Sequence, residues 1–386
     1  MSDRPQVLRT PISIVRREDA AFKDTYGGEV GYIQTAAMHI RPPTPSDTVL
    51  VSMHPIGGTG GLPIMRQFAD AGVHVLACDS RYRGADYALI MEKVALDLGA
   101  GIRHAREKLG YKNVVLLGWS GGGALSAFYQ AEAERPTVTA TPAGEGPNLA
   151  EAGLIPADGM IQMAAHVSRH GTMTEWLDAS ILDEQDPERR DPSLDLYGGM
   201  VNPPYDAAFL ARYRAAQIAR NRRITAWVKE KLAHLRRTGR EHEEFAFVTH
   251  GTMADPRWLD PAVDPSDRRP GWCYLGDPRI VNMSPVGLAR FSTLRSWLSQ
   301  WSYDDANADG PRCLSRISAP VLVVSNSADD ACTPSHGQRI FDAVRHDDKR
   351  FHLVKGATHY YQGQPEQGAE AVGVVKQWLE DHQFTV

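Results

Sequence analysis

The sequence predicts an α/β fold in which a mostly parallel central sheet has helices on both faces. Short, near-continuous apolar runs alternate with helix-forming stretches through the first half of the chain, and the alternation returns near its end. Strands that are apolar at successive positions are typical of parallel sheets with both faces covered. Between about 172 and 316 the alternation stops, which indicates a large, mainly helical insertion.

The elements follow in a simple order along the chain. Two short alternating segments, 12–15 and 30–33, predict antiparallel strands at a sheet edge. Buried strands are predicted at 48–53, 73–79, 113–117, 158–165, 319–324 and 351–354, and helices at 62–71, 86–109, 124–128, 206–237, 335–344 and 366–382. The simplest organisation is one α/β domain formed by 1–171 and 317–386, with the insertion occupying 172–316.

Composition excludes several classes of function. The 386 residues carry a formal net charge of -5, which favours neither nucleic acid nor an anionic membrane as a partner. The first six residues hold no apolar stretch, so no secretory signal is expected, and no apolar run is long enough to span a bilayer. The four cysteines are scattered and predict reduced thiols without a metal site. We therefore expect a cytoplasmic protein.

The long predicted helix at 206–237 has apolar residues near helical spacing, most clearly from Ile224 onward. Either the α/β domain or a second copy of the chain is expected to cover this face, so a homodimer through the insertion is one expectation. The same region holds ten Lys and Arg residues between 211 and 240. An anion-binding face is one interpretation of them, but a solvated helix face is favoured, because isolated charge runs are usually solvated.

A serine lies at the turn between a predicted strand and a predicted helix. The segment Gly118-Trp119-Ser120-Gly121-Gly122 follows the apolar run 113–117 and precedes the helix-forming run 124–128. This arrangement is typical of a nucleophile elbow, in which glycines allow the strand and helix to pass closely and the serine hydroxyl is presented at the sheet edge. The pattern predicts Ser120 as a nucleophile.

A serine nucleophile needs a base, and the base needs an acid to orient it. Among 14 histidines, His359 lies in a loop directly after the last predicted strand, where it can reach the elbow. The acid is expected after the preceding strand, where two neighbouring aspartates compete. The number of residues from the end of the predicted strand favours Asp329 as the acid. The number of residues back from Thr333-Pro334 favours Asp330. We favour Asp330 and keep Asp329 as the alternative.

The oxyanion that forms during acyl transfer needs two aligned N–H donors. The backbone N–H of Gly121, the residue after the nucleophile, is expected to be one of them. The loop after the strand at 48–53 predicts the other, and because Pro55 has no N–H, the donor there is Ile56 or Gly57. His54 and Trp119, which adjoin these positions, are expected to contact the substrate. The glycine-rich loop lacks both phosphate-binding motifs, so no nucleotide cofactor is expected.

Together these motifs resemble the α/β-hydrolase superfamily, over about 48–170 and 317–386. The motifs concerned are Gly118-Trp119-Ser120-Gly121-Gly122, His54-Pro55-Ile56-Gly57-Gly58, Asp79-Ser80-Arg81-Tyr82-Arg83-Gly84, Ala319-Pro320-Val321-Leu322-Val323-Val324, Asp329/Asp330 and His359. Two details differ: Pro55 replaces a usual glycine, and Asn326 or Ser327 replaces the usual glycine before the acid.

The resemblance implies an α/β-hydrolase fold with a catalytic triad, and a cap formed by 172–316 that folds over the site and selects the substrate. It implies a serine hydrolase that cleaves a carboxylic ester, thioester or lactone through an acyl-enzyme on Ser120, without a cofactor or metal. The expected partner is a small acyl substrate. The same triad serves an acyltransferase or a C–C or amide-bond hydrolase, and a non-catalytic ligand-binding scaffold is a third reading.

Overall fold

The computed structural model describes residues 6–23, 25 and 28–384. Residues 1–5, on which the expectation about a secretory signal mostly rests, lie outside these ranges, as do the outermost residues of the predicted α/β domain. The strands are β1 (Leu8–Arg17), β2 (Tyr32–Arg41), β3 (Thr48–His54), β4 (His74–Asp79), β5 (Asn113–Ser120), β6 (Gly159–Ala165), β7 (Ala246–Val248), β8 (Phe291–Thr293), β9 (Val321–Asn326) and β10 (Lys349–Val354).

The helices lie mostly where the sequence predicts them. They are α1 (Pro63–Asp70), α2 (Met91–Glu107), α3 (Gly122–Glu134), α4 (Arg169–Trp176), α5 (Ala207–Arg237), α6 (Pro278–Val281), α7 (Leu294–Gln300), α8 (Gly310–Leu314), α9 (Pro334–Ala343) and α10 (Pro365–Asp381). Helix α2 begins five residues later than the prediction of 86–109, because residues 81–90 form turns and irregular backbone.

Eight strands form one sheet in the order β1-β2-β4-β3-β5-β6-β9-β10. The six strands from β4 to β10 in this order are parallel, and β1 and β2 add an antiparallel edge. Val49 and Val51 point to one face of the sheet, where α2, α3, α8 and α9 pack, and Leu50 points to the other, covered by α1 and α10. The predicted fold class is confirmed.

The insertion contains one long helix and several short elements. Helix α5 packs its apolar face, including Ile224 and Val228, against Trp297 and Trp301 at α7. The chain itself therefore covers this face, and the face no longer argues for a second subunit. The segments 177–206 and 249–277 contain no helix longer than a single turn. Prolines recur in both segments, and a proline removes a helical hydrogen bond.

The cations of α5 are mostly engaged with carboxylates. Ion pairs to Asp or Glu side chains are made by Arg214, Arg220, Arg222, Arg223, Lys229 and Arg236. An anion-binding face would need free cations, so these pairs argue against that interpretation. The four cysteines are free thiols, as predicted. Within the described ranges, no helix has the length and hydropathy needed to cross a bilayer.

Candidate active site

Ser120 is the last residue of β5, and only Gly121 separates it from the start of α3. Its φ of 54° lies in the left-handed region, which a residue with a side chain rarely adopts and which is often retained at functional sites. The turn is tight because a Cβ at Gly118 would lie 2.8 Å from the Cα of Gly123. Glycine at 118 therefore lets the strand and helix approach, and Ser120 lies at the strand–helix turn where the sequence predicts a nucleophile elbow.

The structure brings three buried side chains into one hydrogen-bonded series. The Nε2 atom of His359 lies 3.1 Å from Oγ of Ser120, and its Nδ1 lies 2.8 Å from Oδ2 of Asp329. His359 follows β10, Asp329 follows β9, and Ser120 ends β5, so all three lie at the carboxyl edge of the parallel strands. This is the geometry in which a histidine accepts the serine proton while a carboxylate orients the ring.

The acid beside His359 is Asp329, and the preference for Asp330 is corrected. After β9, the N–H of Ser327 donates to the carbonyl of Val354 at the end of β10, at 3.1 Å. The N–H of Ala328 donates to the carbonyl of Ala357, in the loop that carries His359, at 2.9 Å. The chain turns immediately afterwards, and Oδ1 of Asp329 accepts the N–H groups of Ala331 and Cys332 at 2.8 and 2.7 Å. Asp329 is thereby fixed toward the histidine.

Asp330 has a different environment. Its side chain is partly exposed, whereas that of Asp329 is fully buried. Burial and the neighbouring carboxylate of Asp329 raise the pKa of Asp330 above its ordinary value. Its backbone carbonyl accepts the N–H of Tyr274 at 3.2 Å, which links this loop to the insertion. Asp330 therefore fits a role in the loop's structure and not in orienting His359.

The N–H groups of Ile56 and Gly57 are engaged by a side chain, which corrects the prediction for the second oxyanion donor. Both N–H groups donate to Nδ1 of His54, at 3.2 and 2.8 Å. They are therefore not aimed at the reacting atoms in this structure. The N–H of Gly121 remains a suitable donor, because it precedes the first turn of α3, where N–H groups lack intrahelical acceptors.

His54 is held as a neutral ring with a fixed tautomer. Burial, together with the nearby charges of Arg169 and His359, lowers the pKa of His54 to about 3. Because Nδ1 accepts two backbone N–H groups, the single ring proton resides on Nε2. A Cβ at Gly121 would lie only 2.8 Å from that Nε2 atom. His54 thus places an N–H donor beside the residue that follows the nucleophile.

Comparisons with known proteins bear on the fold. No family model and no curated protein matches the chain. The α/β hydrolase GrgF from Penicillium sp. sh18 is 11% identical, with a TM-score of 0.52, over 97% of this chain and 99% of that chain. This chain has the α/β-hydrolase fold. A hypothetical protein from Pseudomonas aeruginosa is also similar to it, at 12% identity and a TM-score of 0.50, over 98% of this chain and 94% of that chain.

At these identities the likeness concerns the α/β-hydrolase fold alone, so the chemistry rests on the site itself. Ser120 and His359 open onto a cavity of about 260 Å³. Tyr274 and Leu288 from the insertion line it together with Thr172, so the insertion forms part of the site's walls. A cleft of about 840 Å³ lies elsewhere in this hydrolase fold, and none of Ser120, His359 and Asp329 lines it.

Trp119 and His54, the two predicted substrate contacts, both line the cavity. The Trp119 ring lies 4.7 Å from the His359 ring and 5.1 Å from the Tyr360 ring, measured between centroids. This packing of the Trp119 ring helps to hold the imidazole of His359 in place. The contact of either residue with a substrate stays a prediction.

Sequence reasoning missed two polar residues of the cavity, His166 and Arg169. Both follow β6, and the N–H of His166 donates to the carbonyl of Ser120 at 3.0 Å. Burial lowers the pKa of His166 well below its ordinary value, so this ring is neutral. The signal was available, because ligand sites of open α/β sheets lie beyond the carboxyl ends of their strands. A polar residue that directly follows β6 is therefore expected to contact a ligand.

Three potential metal ligands within the described ranges coincide with the serine site. Donor atoms of Asp329, Cys332 and His359 lie within 4.8 Å of one another. Asp329 and His359 already bond each other, and burial raises the pKa of the Cys332 thiol well above its ordinary value. Both ring nitrogens of His359 are engaged, one by Asp329 and one by Ser120, so this donor set fits a proton-transfer site better than a metal site.

Proposed function

We propose that the protein is a serine hydrolase that cleaves carboxylic esters through an acyl-enzyme on Ser120. The observation that carries this proposal is the buried hydrogen-bonded series from Ser120 through His359 to Asp329. Thioesters and lactones undergo the same acyl transfer and belong to the same proposed class. The fold alone does not specify a reaction, so the proposal rests on these three side chains.

In the first step, Nε2 of His359 takes the proton from Oγ of Ser120 as that oxygen attacks the substrate carbonyl carbon. The bond between Asp329 and Nδ1 of His359 keeps the ring in the tautomer whose Nε2 is free to accept the proton. It also stabilises the imidazolium that results. His359 then donates the proton to the leaving alkoxide, and the C–O bond of the ester breaks. Ser120 carries the acyl group.

The tetrahedral intermediate places a negative charge on the former carbonyl oxygen. The N–H of Gly121 supplies one donor to this oxygen, and we assign the second to Nε2–H of His54. A neutral imidazole with a fixed tautomer is preorganised for this role, since neither its proton nor its orientation has to change during the reaction.

The second half of the cycle repeats the first with water. Nε2 of His359 accepts a proton from a water molecule as its oxygen attacks the acyl carbon of the acyl-enzyme. The same two donors stabilise the second oxyanion, and His359 returns a proton to Oγ of Ser120 as the acid product leaves. No additional group is needed for this sequence.

A fluorophosphonate probe tests the proposed nucleophile directly. The protein is expected to incorporate one probe molecule, and peptide mapping should locate the adduct on Ser120, because the probe reacts with a serine oxygen activated by a histidine. Ser120→Ala should remain unlabelled and keep the thermal unfolding curve of the natural protein. Absence of labelling of the folded natural protein, or labelling at another residue, would contradict the proposal.

A further inference from the structure

Arg169 is a fully charged side chain buried at the wall of the active-site cavity. It is the first residue of α4 and is 5% exposed. Its Nε and Nη2 atoms donate to Oε1 of Gln300 at 3.0 and 2.7 Å, and its guanidinium lies over the Trp301 ring at 4.4 Å. The amide nitrogen of Gln300 donates to the Asp86 carbonyl at 2.8 Å, which fixes the orientation of the amide. The plane of the guanidinium is therefore set by its neighbours.

The remaining terminal nitrogen, Nη1, lies beside Gly121, the residue that follows the nucleophile. A Cβ atom at Gly121 would lie 3.4 Å from Nη1 of Arg169 and 2.8 Å from Nε2 of His54. Both nitrogens therefore lie near the same side of Gly121. Within the described residues, no hydrogen bond to a protein acceptor is made by this Nη1 atom. The nearest carboxylate, Asp86, lies 3.9 Å from Nη2, on the other branch of the guanidinium. The Nη1 branch is thus available to a ligand beside the elbow.

The charge of the cavity wall is unbalanced. Among the described residues that line the cavity there is no aspartate or glutamate. His54 and His166 are neutral, and the third lining histidine, His359, is the one paired with Asp329. Burial lowers the pKa of Arg169 to about 10 despite the opposing effect of Asp86, so the guanidinium stays protonated at neutral pH while lacking full compensation. Burying an incompletely paired charge is costly, and such a group is a candidate for binding a charged ligand.

On the basis of the proposed esterase function, we propose that the substrate carries a carboxylate on its acyl chain and that Nη1 of Arg169 binds it. A guanidinium held in a fixed plane is suited to a carboxylate. The cavity of about 260 Å³ is small, so the carboxylate and the scissile carbonyl are separated by a short chain. Hemiesters of short dicarboxylic acids are the predicted class.

The test compares mono-p-nitrophenyl glutarate with its uncharged counterpart, p-nitrophenyl pentanoate. In the natural protein, kcat/KM is expected to be higher for the charged ester. Arg169→Gln should lower the ratio of the two kcat/KM values about 30-fold or more, the loss typical of removing one partner of a buried charge pair. Arg83→Gln is the matched control. Arg83 is exposed at the rim near Gly58 and paired with Asp79, so its removal should leave the ratio nearly unchanged.

A purely structural role of Arg169 would lower both kcat/KM values together and keep their ratio, and that result would overturn the proposal. An equal effect of Arg83→Gln would overturn it too, because it would show a general charge effect.

Binding of glutarate to the folded protein, measured by calorimetry, separates this proposal from the esterase function. Glutarate should bind the natural protein and Ser120→Ala but not Arg169→Gln, even if neither ester is cleaved. Absence of binding to the natural protein, or equal binding to Arg169→Gln, would contradict the anion site.

Discussion

Asp329→Asn is expected to lower kcat for ester hydrolysis about 10⁴-fold while the protein stays folded. Oδ1 of this side chain accepts two backbone N–H groups, from Ala331 and Cys332, so an asparagine would keep its oxygen there and turn its NH₂ group toward His359. The Nδ1 atom would then have to accept a hydrogen bond, which moves the ring proton to Nε2. In that tautomer His359 cannot take the proton of Ser120. Steady-state kinetics with a p-nitrophenyl ester measures the loss.

Asp330→Asn is the matched control for this prediction, because it makes the same chemical change one residue away. Its side chain does not contact His359, so kcat should stay close to the natural value. The reverse result, a large loss with Asp330→Asn and a small one with Asp329→Asn, would restore the assignment favoured by sequence alone. Far-ultraviolet circular dichroism of both variants establishes that each is folded.

His54→Phe is expected to lower kcat about 10²- to 10³-fold, the usual effect of losing one oxyanion donor. Phenylalanine keeps a ring of similar size but has no N–H to offer, and it releases the N–H groups of Ile56 and Gly57. His54→Gln restores a side-chain N–H donor and should recover part of the activity. KM should change less than kcat in both variants, because the oxyanion forms only during the reaction.

The opposite outcome has a clear meaning. If the backbone donors predicted from sequence act in catalysis, removing the imidazole that holds them would leave them free. The activity of His54→Phe would then equal or exceed that of the natural protein, and the assignment of Nε2–H of His54 would be wrong.

Much of the fold and part of the site follow from the sequence, for reasons that differ between residues. The alternation of apolar strands with helices defines the sheet, and the glycines around Ser120 mark the elbow because only they fit the close approach of strand and helix. His359 follows the last strand of the sheet, so its place at the carboxyl edge depends on topology and not on side-chain detail. These features depend on the backbone path, which a sequence pattern describes well.

The features that sequence reasoning got wrong depend on distances of a single residue or on the direction of a ring. Asp329 is selected over Asp330 by how far strand pairing extends past β9, which no local pattern records. The loss of Ile56 and Gly57 as free donors depends on the rotamer of His54. Arg169 was missed because it lies between the predicted strand at 158–165 and the start of the predicted insertion at 172. Its proposed role in binding an anion follows only from the hydrogen bonds that Nε and Nη2 make to Gln300 and from the Nη1 atom that makes none within the described residues.

The central claim, covalent catalysis by Ser120, is tested most directly by trapping the acyl-enzyme. The protein is mixed with p-nitrophenyl acetate, quenched in acid within the first turnover, and analysed by intact-protein and peptide mass spectrometry. The expected result is a mass increase of one acetyl group, located on Ser120, with a burst of p-nitrophenol of the same amount and neither signal in Ser120→Ala. Turnover of the ester by Ser120→Ala at the natural rate, or an acetyl group on another residue that forms and decays at the rate of turnover, would contradict the account.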